Sequence, residues 1–357
     1  MKVIVDDKIP YIKGVIEKIV DEVVYLPGSA FTNELVLDAD ALVIRTRTIC
    51  NEELLSGSKV KFIATATIGF DHIDTAYCKA AGISWQNAPG CNATSVAQYI
   101  MSVLILWQQY KAPSDMPISH FTIGIVGVGH VGSEIVSLAN KMGLRVLQND
   151  TPRADADGTK DFVSLKQIAA ECDIITFHVP LIKEGKYKTY HLADAAFFDS
   201  LEKKPLIINT SRGSVIDTSV LKHAIIDEKI SDAVLDVWEN EPNIDLELLD
   251  KVWIGTPHIA GYSADGKANA TRMSLHALCH FFNLGENFKI APLSPVNADI
   301  FAASYNDALL QIYDPRRDSV SLKTHPKKFE YLRGNYPLRR EKNAYTITIG
   351  NDIHTDK

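Results

Sequence analysis

The stretch FTIGIVGVGHVGSEIVSLANKMGLRVLQND, residues 121–150, decides how this chain is read. An apolar run leads into Gly127-x-Gly129-x-x-Gly132, and a helical pattern begins at the end of that turn. Each glycine has a physical task in such a place. Gly127 permits the tight turn, Gly129 lets a pyrophosphate approach the backbone, and Gly132 allows helix and strand to pack closely. The helix N-terminus then offers its unpaired N–H groups to the phosphates. Glycines at this spacing also serve plain turns; the strand before, the helix after and an acid at the end of the next strand argue for a dinucleotide. Asp150 is that acid, eighteen residues past Gly132. There it can bind the adenosine ribose hydroxyl and repel the 2′-phosphate of NADP, so NAD is expected, with Arg153 as the counter-signal. The alternative for Asp150 is a solvated loop aspartate.

Outward from this stretch, short β-branched runs alternate with helix-length segments: KVIVD (2–6), ALVIR (41–45), KFIAT (61–65), TIGIVG, LRVLQN, DIITFH, PLIINT and AVLDVW. Such alternation predicts βαβ units and parallel sheets covered on both faces. The rhythm breaks at YKAPSDMPISH, residues 110–120, where two prolines end a helical stretch that begins near Ser95. The expected fold is α/β, with two doubly wound parallel-sheet domains, Rossmann- or flavodoxin-like, and a small α+β C-terminal unit. The expected boundaries are 1–95 plus 263–285 for the first domain, 96–262 for the second and 286–357 for the third. A helix over roughly 263–283 returns the chain to the first domain, and the last strand is expected at 345–349.

Composition sets the outer bounds. The chain has 357 residues, 46% hydrophobic and 23% charged, enough for more than one buried core. A formal charge of −7 without any basic block gives no footprint for nucleic acid or a membrane surface. The opening MKVIVDDKIP reaches aspartates too early for a signal-peptide core, and no apolar run is long enough to span a bilayer, so the cytoplasm is expected. Five scattered cysteines without a C-x-x-C pair suggest reduced structural thiols and neither disulfides nor a metal.

In open α/β sheets ligands bind beyond the carboxyl ends of the strands, and three polar residues stand at such ends. Arg212 follows LIINTS, Glu241 follows AVLDVW, and His258 lies in TPHIAGY, residues 256–262. Alone, each has a bland reading: a turn cap, a solvated acid, a packed histidine. Together, beside a nicotinamide, they supply what oxidation of a 2-hydroxy acid requires. The guanidinium can grip a carboxylate in a bidentate fork. His258 can take the hydroxyl proton as hydride leaves, and Glu241 can fix the imidazole tautomer. A metal is the weaker reading of His258, since no H-E-x-x-H spacing accompanies it. In the first domain VIRTRT, residues 43–48, ends a strand with Arg45, Thr46 and Arg47, donors suited to a phosphate.

The glycine turn, NTSRGSVID, DVWENEP and TPHIAG closely resemble the D-isomer-specific 2-hydroxyacid dehydrogenases over residues 1–285. Further stretches, VDDKIPY, TATIGFDHID, APGCNA, YKTYHLAD, HIAGYSADGKANAT and FEYLRGNYPLRRE, are similar to one branch of that family. That branch oxidises 4-phosphoerythronate during pyridoxal 5′-phosphate biosynthesis. The resemblance implies Arg212 and Glu241 as catalytic and His258 as proton donor in the reducing direction. It implies NAD on His130, Val131, Asp150, Val179, Asp236 and Gly261, substrate on Thr46, Thr67 and Tyr262, and a homodimer built through the tail. Val179 offers no side-chain hydrogen bond and can contribute only backbone or apolar contact. Two rivals stand: another D-2-hydroxyacid dehydrogenase, such as 3-phosphoglycerate dehydrogenase, and a non-catalytic NAD-sensing scaffold.

Overall fold

The computed structural model describes residues 1–113, 116–157 and 161–350. Two residues of the expected 110–120 break, and residues 351–357 of the expected third domain, lie outside the described residues. The chain divides into two compact units: residues 1–92 with 263–294, and residues 93–262 with 295–357.

In the first unit β1 (Lys2–Asp6), β2 (Glu22–Leu26), β3 (Ala41–Ile44), β4 (Phe62–Thr65) and β5 (Ser84–Gln86) form a parallel sheet in the order β2-β1-β3-β4-β5. Side chains alternate across a strand, so a sheet covered on both faces needs continuous apolar runs. ALVI in β3 and FIAT in β4 are accordingly buried at every position. Val3, Val5, Ala41, Val43 and Phe62 point to one face, where Ala268, Leu275 and Leu278 of the helix Ala264–Phe282 cover them. Ile4, Leu42, Ile44 and Ile63 point to the other, against Val36, Leu54, Leu55 and Cys78. The covering helix starts where the Ser263 side chain accepts from Gly266 N and stops at Asn283, which adopts the left-handed conformation of a helix end.

The second unit repeats the design with β6 (Thr122–Val126), β7 (Arg145–Asn149), β8 (Ile174–Phe177), β9 (Leu206–Asn209), β10 (Asp232–Leu235) and β11 (Ile254–Gly255). They are all parallel, in the order β11-β10-β9-β8-β6-β7. The helices Ala93–Tyr110 and His130–Met142 cover one face. The helices Leu165–Glu171 and Thr218–Ile226 contribute to the other. The C-terminal segment adds a parallel pair, β12 (Asp299–Ala302) with β13 (Thr346–Ile349), and the helices Tyr305–Ile312, Pro315–Thr324 and Phe329–Gly334. It is anchored at both faces of the second sheet. Tyr313 enters the core on one side, and Leu322 and Phe329 enter the core on the other. Full burial of a phenylalanine such as Phe329 contributes about 2–3 kcal/mol.

Two differences from the sequence reading have local causes. AVLDVW leaves the sheet at Leu235 because the Asp236 carboxylate turns to bind a neighbouring loop. Strands β2, β5 and β12 had no counterpart in the reading: β5 is three residues long and β12 exposes two of its four. Among the described residues no helix is long and apolar enough to cross a membrane.

Candidate active site

The glycine turn sits where strand order reverses, between β6 and β8. Gly127 has φ +89°, and a Cβ there would lie 2.8 Å from the His178 carbonyl and 2.7 Å from Val179 Cγ1. A Cβ on Gly132 would stand 2.0 Å from the Gly127 oxygen. Only glycine lets the helix His130–Met142 begin so close to the strand. Gly129 is different: its Cβ would meet nothing within 4 Å. Gly129 is also the N-cap of that helix and no side chain caps it, so the first-turn amides of His130 and Val131 have no partner within the helix. The His130 side chain is exposed and that of Val131 half-buried.

Asp150 follows β7 and accepts from Val128 N at 2.9 Å and Arg153 N at 3.2 Å. The Arg153 guanidinium donates to the Val128 carbonyl at 2.6 Å and lies over the Phe162 ring, so it braces the turn. These features fit a dinucleotide: open space at the middle glycine, uncapped amides and a carboxylate at the strand end. At the end of β8, His178 is flanked by hydroxyls, Thr176 Oγ1 at 2.9 Å and Thr210 Oγ1 at 3.4 Å. Burial pushes its imidazole down to about 3, which keeps it neutral.

The loop after β11 carries His258, and buried Asp236 organises it. One Asp236 oxygen accepts from Thr256 Oγ1 at 2.6 Å and Ile259 N at 2.7 Å, and the other accepts from Ala260 N at 2.8 Å. Trp238 Nε1 adds a bond to the Thr256 carbonyl. Within this frame His258 has φ +58°, a left-handed backbone that an imidazole tolerates at modest cost. Its Nδ1 lies 2.8 Å from Glu241 Oε2, while Glu241 Oε1 accepts from Trp238 N at 2.9 Å. Burial pushes the Glu241 carboxyl up, but the attraction and hydrogen bond from His258, the Trp238 N–H and the nearby Arg333 charge outweigh it, and the net direction is down. A carboxylate that only accepts leaves Nδ1 as the donor. Nε2 makes no hydrogen bond among the described residues and is the ring nitrogen left for a ligand.

Arg212 follows β9 in a turn fixed by Asn209, whose Oδ1 accepts from Ser211 N and Ser211 Oγ and whose amide donates to the Arg212 carbonyl. A Cβ on Gly213 would fall 1.9 Å from the Trp238 carbonyl carbon. The Arg-Gly pair therefore lets the Arg212 turn lie against the backbone of the loop that carries Glu241. Gly261 and Tyr262 continue the His258 loop, and Tyr262 Oη accepts from Arg333 Nε at 3.0 Å. Val179 packs on Gly127 by its side chain, as its chemistry requires.

In the first unit the predicted donors divide. Arg45 directs its fork at buried Asp6, with Nε to Oδ2 at 3.2 Å and Nη2 to Oδ1 at 3.0 Å. Thr46 and Arg47 are exposed. The Thr67 hydroxyl lies 2.8 Å from Thr65 Oγ1 and donates to the Gly69 carbonyl. Sequence reasoning missed Arg333 and the loop-building work of Asp236. Neither has a local motif; only a tail stretch containing Arg333 had been singled out.

Comparison with known proteins shows the family. Residues 97–260 match the family model described as D-isomer specific 2-hydroxyacid dehydrogenase, NAD binding domain. Residues 289–357 match a domain of unknown function (DUF3410). The erythronate-4-phosphate dehydrogenase of Bacteroides fragilis is 64% identical over 349 residues, spanning 98% of this chain and 99% of that protein. Among solved structures, D-lactate dehydrogenase from Aquifex aeolicus complexed with NAD and lactic acid is 25% identical with a TM-score of 0.66, covering 79% of this chain and 96% of its own. NAD+-bound 3-phosphoglycerate dehydrogenase from Entamoeba histolytica is 26% identical with a TM-score of 0.66, covering 79% and 95%. The glycine turn, the histidine–glutamate pair and nearly full-length similarity lead to one conclusion: this chain belongs to the erythronate-4-phosphate dehydrogenase family, within the NAD-dependent D-isomer-specific 2-hydroxyacid dehydrogenases.

Proposed function

We propose that the protein oxidises 4-phospho-D-erythronate to 2-oxo-3-hydroxy-4-phosphobutanoate with NAD, a step of pyridoxal 5′-phosphate biosynthesis. The observation that carries this reading is the His258–Glu241 pair at 2.8 Å, with His258 Nε2 left for a substrate hydroxyl. When bound, NAD accepts the hydride that leaves C2. Gly127, Gly129, Gly132 and the amides of His130 and Val131 are its proposed phosphate cradle. Asp150 is proposed for the ribose, and Val179, Asp236 and Gly261 for the nicotinamide end, Asp236 acting through the loop it orders. Arg212 holds the substrate carboxylate in a planar fork. His258 Nε2 takes the C2 hydroxyl proton, and Glu241 stabilises the resulting imidazolium through Nδ1. Carbon C2 loses a hydride and its oxygen a proton, which balances alcohol to ketone. Thr46, Arg47, Thr67 and Tyr262 are the proposed substrate contacts, and Arg45, engaged with Asp6, supports that loop.

We also infer a cytoplasmic homodimer built through the C-terminal segment. The five cysteines are buried free thiols, and Phe301, Val320 and Tyr331 are each more than 60% exposed, apolar side chains that a partner would cover. Turnover measured on 4-phosphoerythronate, 3-phosphoglycerate and D-lactate tests the function. A clear preference for the first supports it, preference for either other substrate overturns the assignment, and NAD binding without turnover points to a sensing scaffold.

A further inference from the structure

Arg333 lies on the helix Phe329–Gly334 in the C-terminal segment, within the stretch FEYLRGNYPLRRE, and no role has been assigned to it so far. Its Nε donates to Tyr262 Oη at 3.0 Å, and its guanidinium lies 5.7 Å from the centre of the Tyr262 ring. Among the described residues, its Nη1 and Nη2 have no acceptor. Both Glu241 oxygens are occupied by Trp238 N and His258 Nδ1, and no ion pair joins Glu241 to Arg333. The arginine is nevertheless near enough to help hold the Glu241 carboxyl below its ordinary value. A half-buried guanidinium is thus oriented beside the acid/base pair, its fork uncommitted and its charge unpaired.

We infer that Arg333 is a substrate-binding residue whose guanidinium, braced on the Tyr262 hydroxyl, takes the phosphate of the substrate. The inference rests on the function proposed above, which gives the substrate two anionic ends. Arg212 stands in the turn that packs against the Glu241 loop and serves the carboxylate. The phosphate then needs a second cation, and the Arg45 fork is already committed to Asp6. Arg333 meets that need, and a planar fork suits a phosphate better than a point charge does. The tail would then be part of the substrate site of its own chain as well as an assembly element.

The test uses the full chain and the variants Arg333→Gln and Arg333→Lys. Binding of inorganic phosphate and of oxalate, a phosphate-free mimic of the carboxylate end, is read from their effect on NADH fluorescence, and KM and kcat are read on 4-phosphoerythronate. Arg333→Gln is expected to raise KM about 10–100-fold with kcat little changed, as loss of a charge-assisted hydrogen bond implies. It should also weaken phosphate binding and leave oxalate binding intact, with Arg333→Lys recovering part of the loss. Equal weakening of phosphate and oxalate, or no change in either, overturns the inference. If Arg333→Gln melts early, Arg333→Lys decides by the same phosphate-to-oxalate contrast. Failure of the wild type to oxidise 4-phosphoerythronate would sink the proposed function, while the two probes still report on Arg333.

Discussion

The two sheets of this chain begin with the same strand order, counted within each unit as 2-1-3-4-5, and use the reversal point in opposite ways. In the first unit the end of β1 and the loop after β3 meet there as Asp6 and Arg45, joined by two hydrogen bonds. Gly28 presses on the same carboxylate, since a Cβ there would stand 2.6 Å from Asp6 Oδ2. In the second unit the loops after β6 and β8 bring Gly127 against His178 and Val179, and beyond them Gly129 opens on free space. One crevice is plugged by an ion pair and the other is kept clear by glycine. Strand order supplies the crevice, and the residues at the loop tips decide whether anything can enter it.

The contrast can be attacked from both sides. The largest effect is expected on the open side, where His258→Ala removes the proposed acid/base and leaves the glycine turn untouched. Turnover should fall about 10²–10⁴-fold while NAD affinity by fluorescence titration stays near wild type. Normal turnover would remove His258 from the chemistry. On the plugged side, Asp6→Asn leaves Arg45 without its counter-charge. A loss of about 3 kcal/mol is expected in urea unfolding, the lower end for a broken pair because the Arg45 side chain is 32% exposed. An unchanged midpoint would mean that the plug is ornamental.

Smaller effects sharpen the account. Asp150→Ala should relax the preference for NAD over NADP by roughly 10-fold, with Arg153 still beside the turn. Unchanged discrimination in kcat/KM would contradict the ribose contact. The smallest effect concerns acid. Because the Glu241 carboxyl is held below its ordinary value in the fold, its ionised form stabilises the native state. That contribution is complete above the unfolded value near 4.5 and disappears as pH falls through the lower folded value. Between about pH 6 and about pH 3 the wild type should therefore lose slightly more stability than Glu241→Gln, as read from thermal melts. Parallel losses would show that the pair does not favour the charged acid.

The sequence carried what is local. Continuous apolar runs such as ALVI and FIAT can only be covered strands, and a Gly127-x-Gly129-x-x-Gly132 turn between strand and helix has few other uses. It was silent where partners are distant. Asp6 and Arg45 lie thirty-nine positions apart, and Arg333 and Tyr262 seventy-one, so neither pairing leaves a pattern along the chain. For that reason VIRTRT looked like a uniform row of phosphate donors, although folding commits the first arginine to Asp6. Asp236 reads as a strand residue because it sits inside the apolar run AVLDVW. Only the arrival of Thr256, Ile259 and Ala260 reveals why an aspartate is buried there.

The Ala260 carbonyl in the His258 loop accepts from Arg339, a residue that is fully buried and also bonded to Ser95. Ser95 lies in the first turn of the helix Ala93–Tyr110, so one guanidinium ties the His258 loop to the helix that covers a face of the second sheet. A substitution at Arg339 would therefore unseat the loop and the start of that helix together.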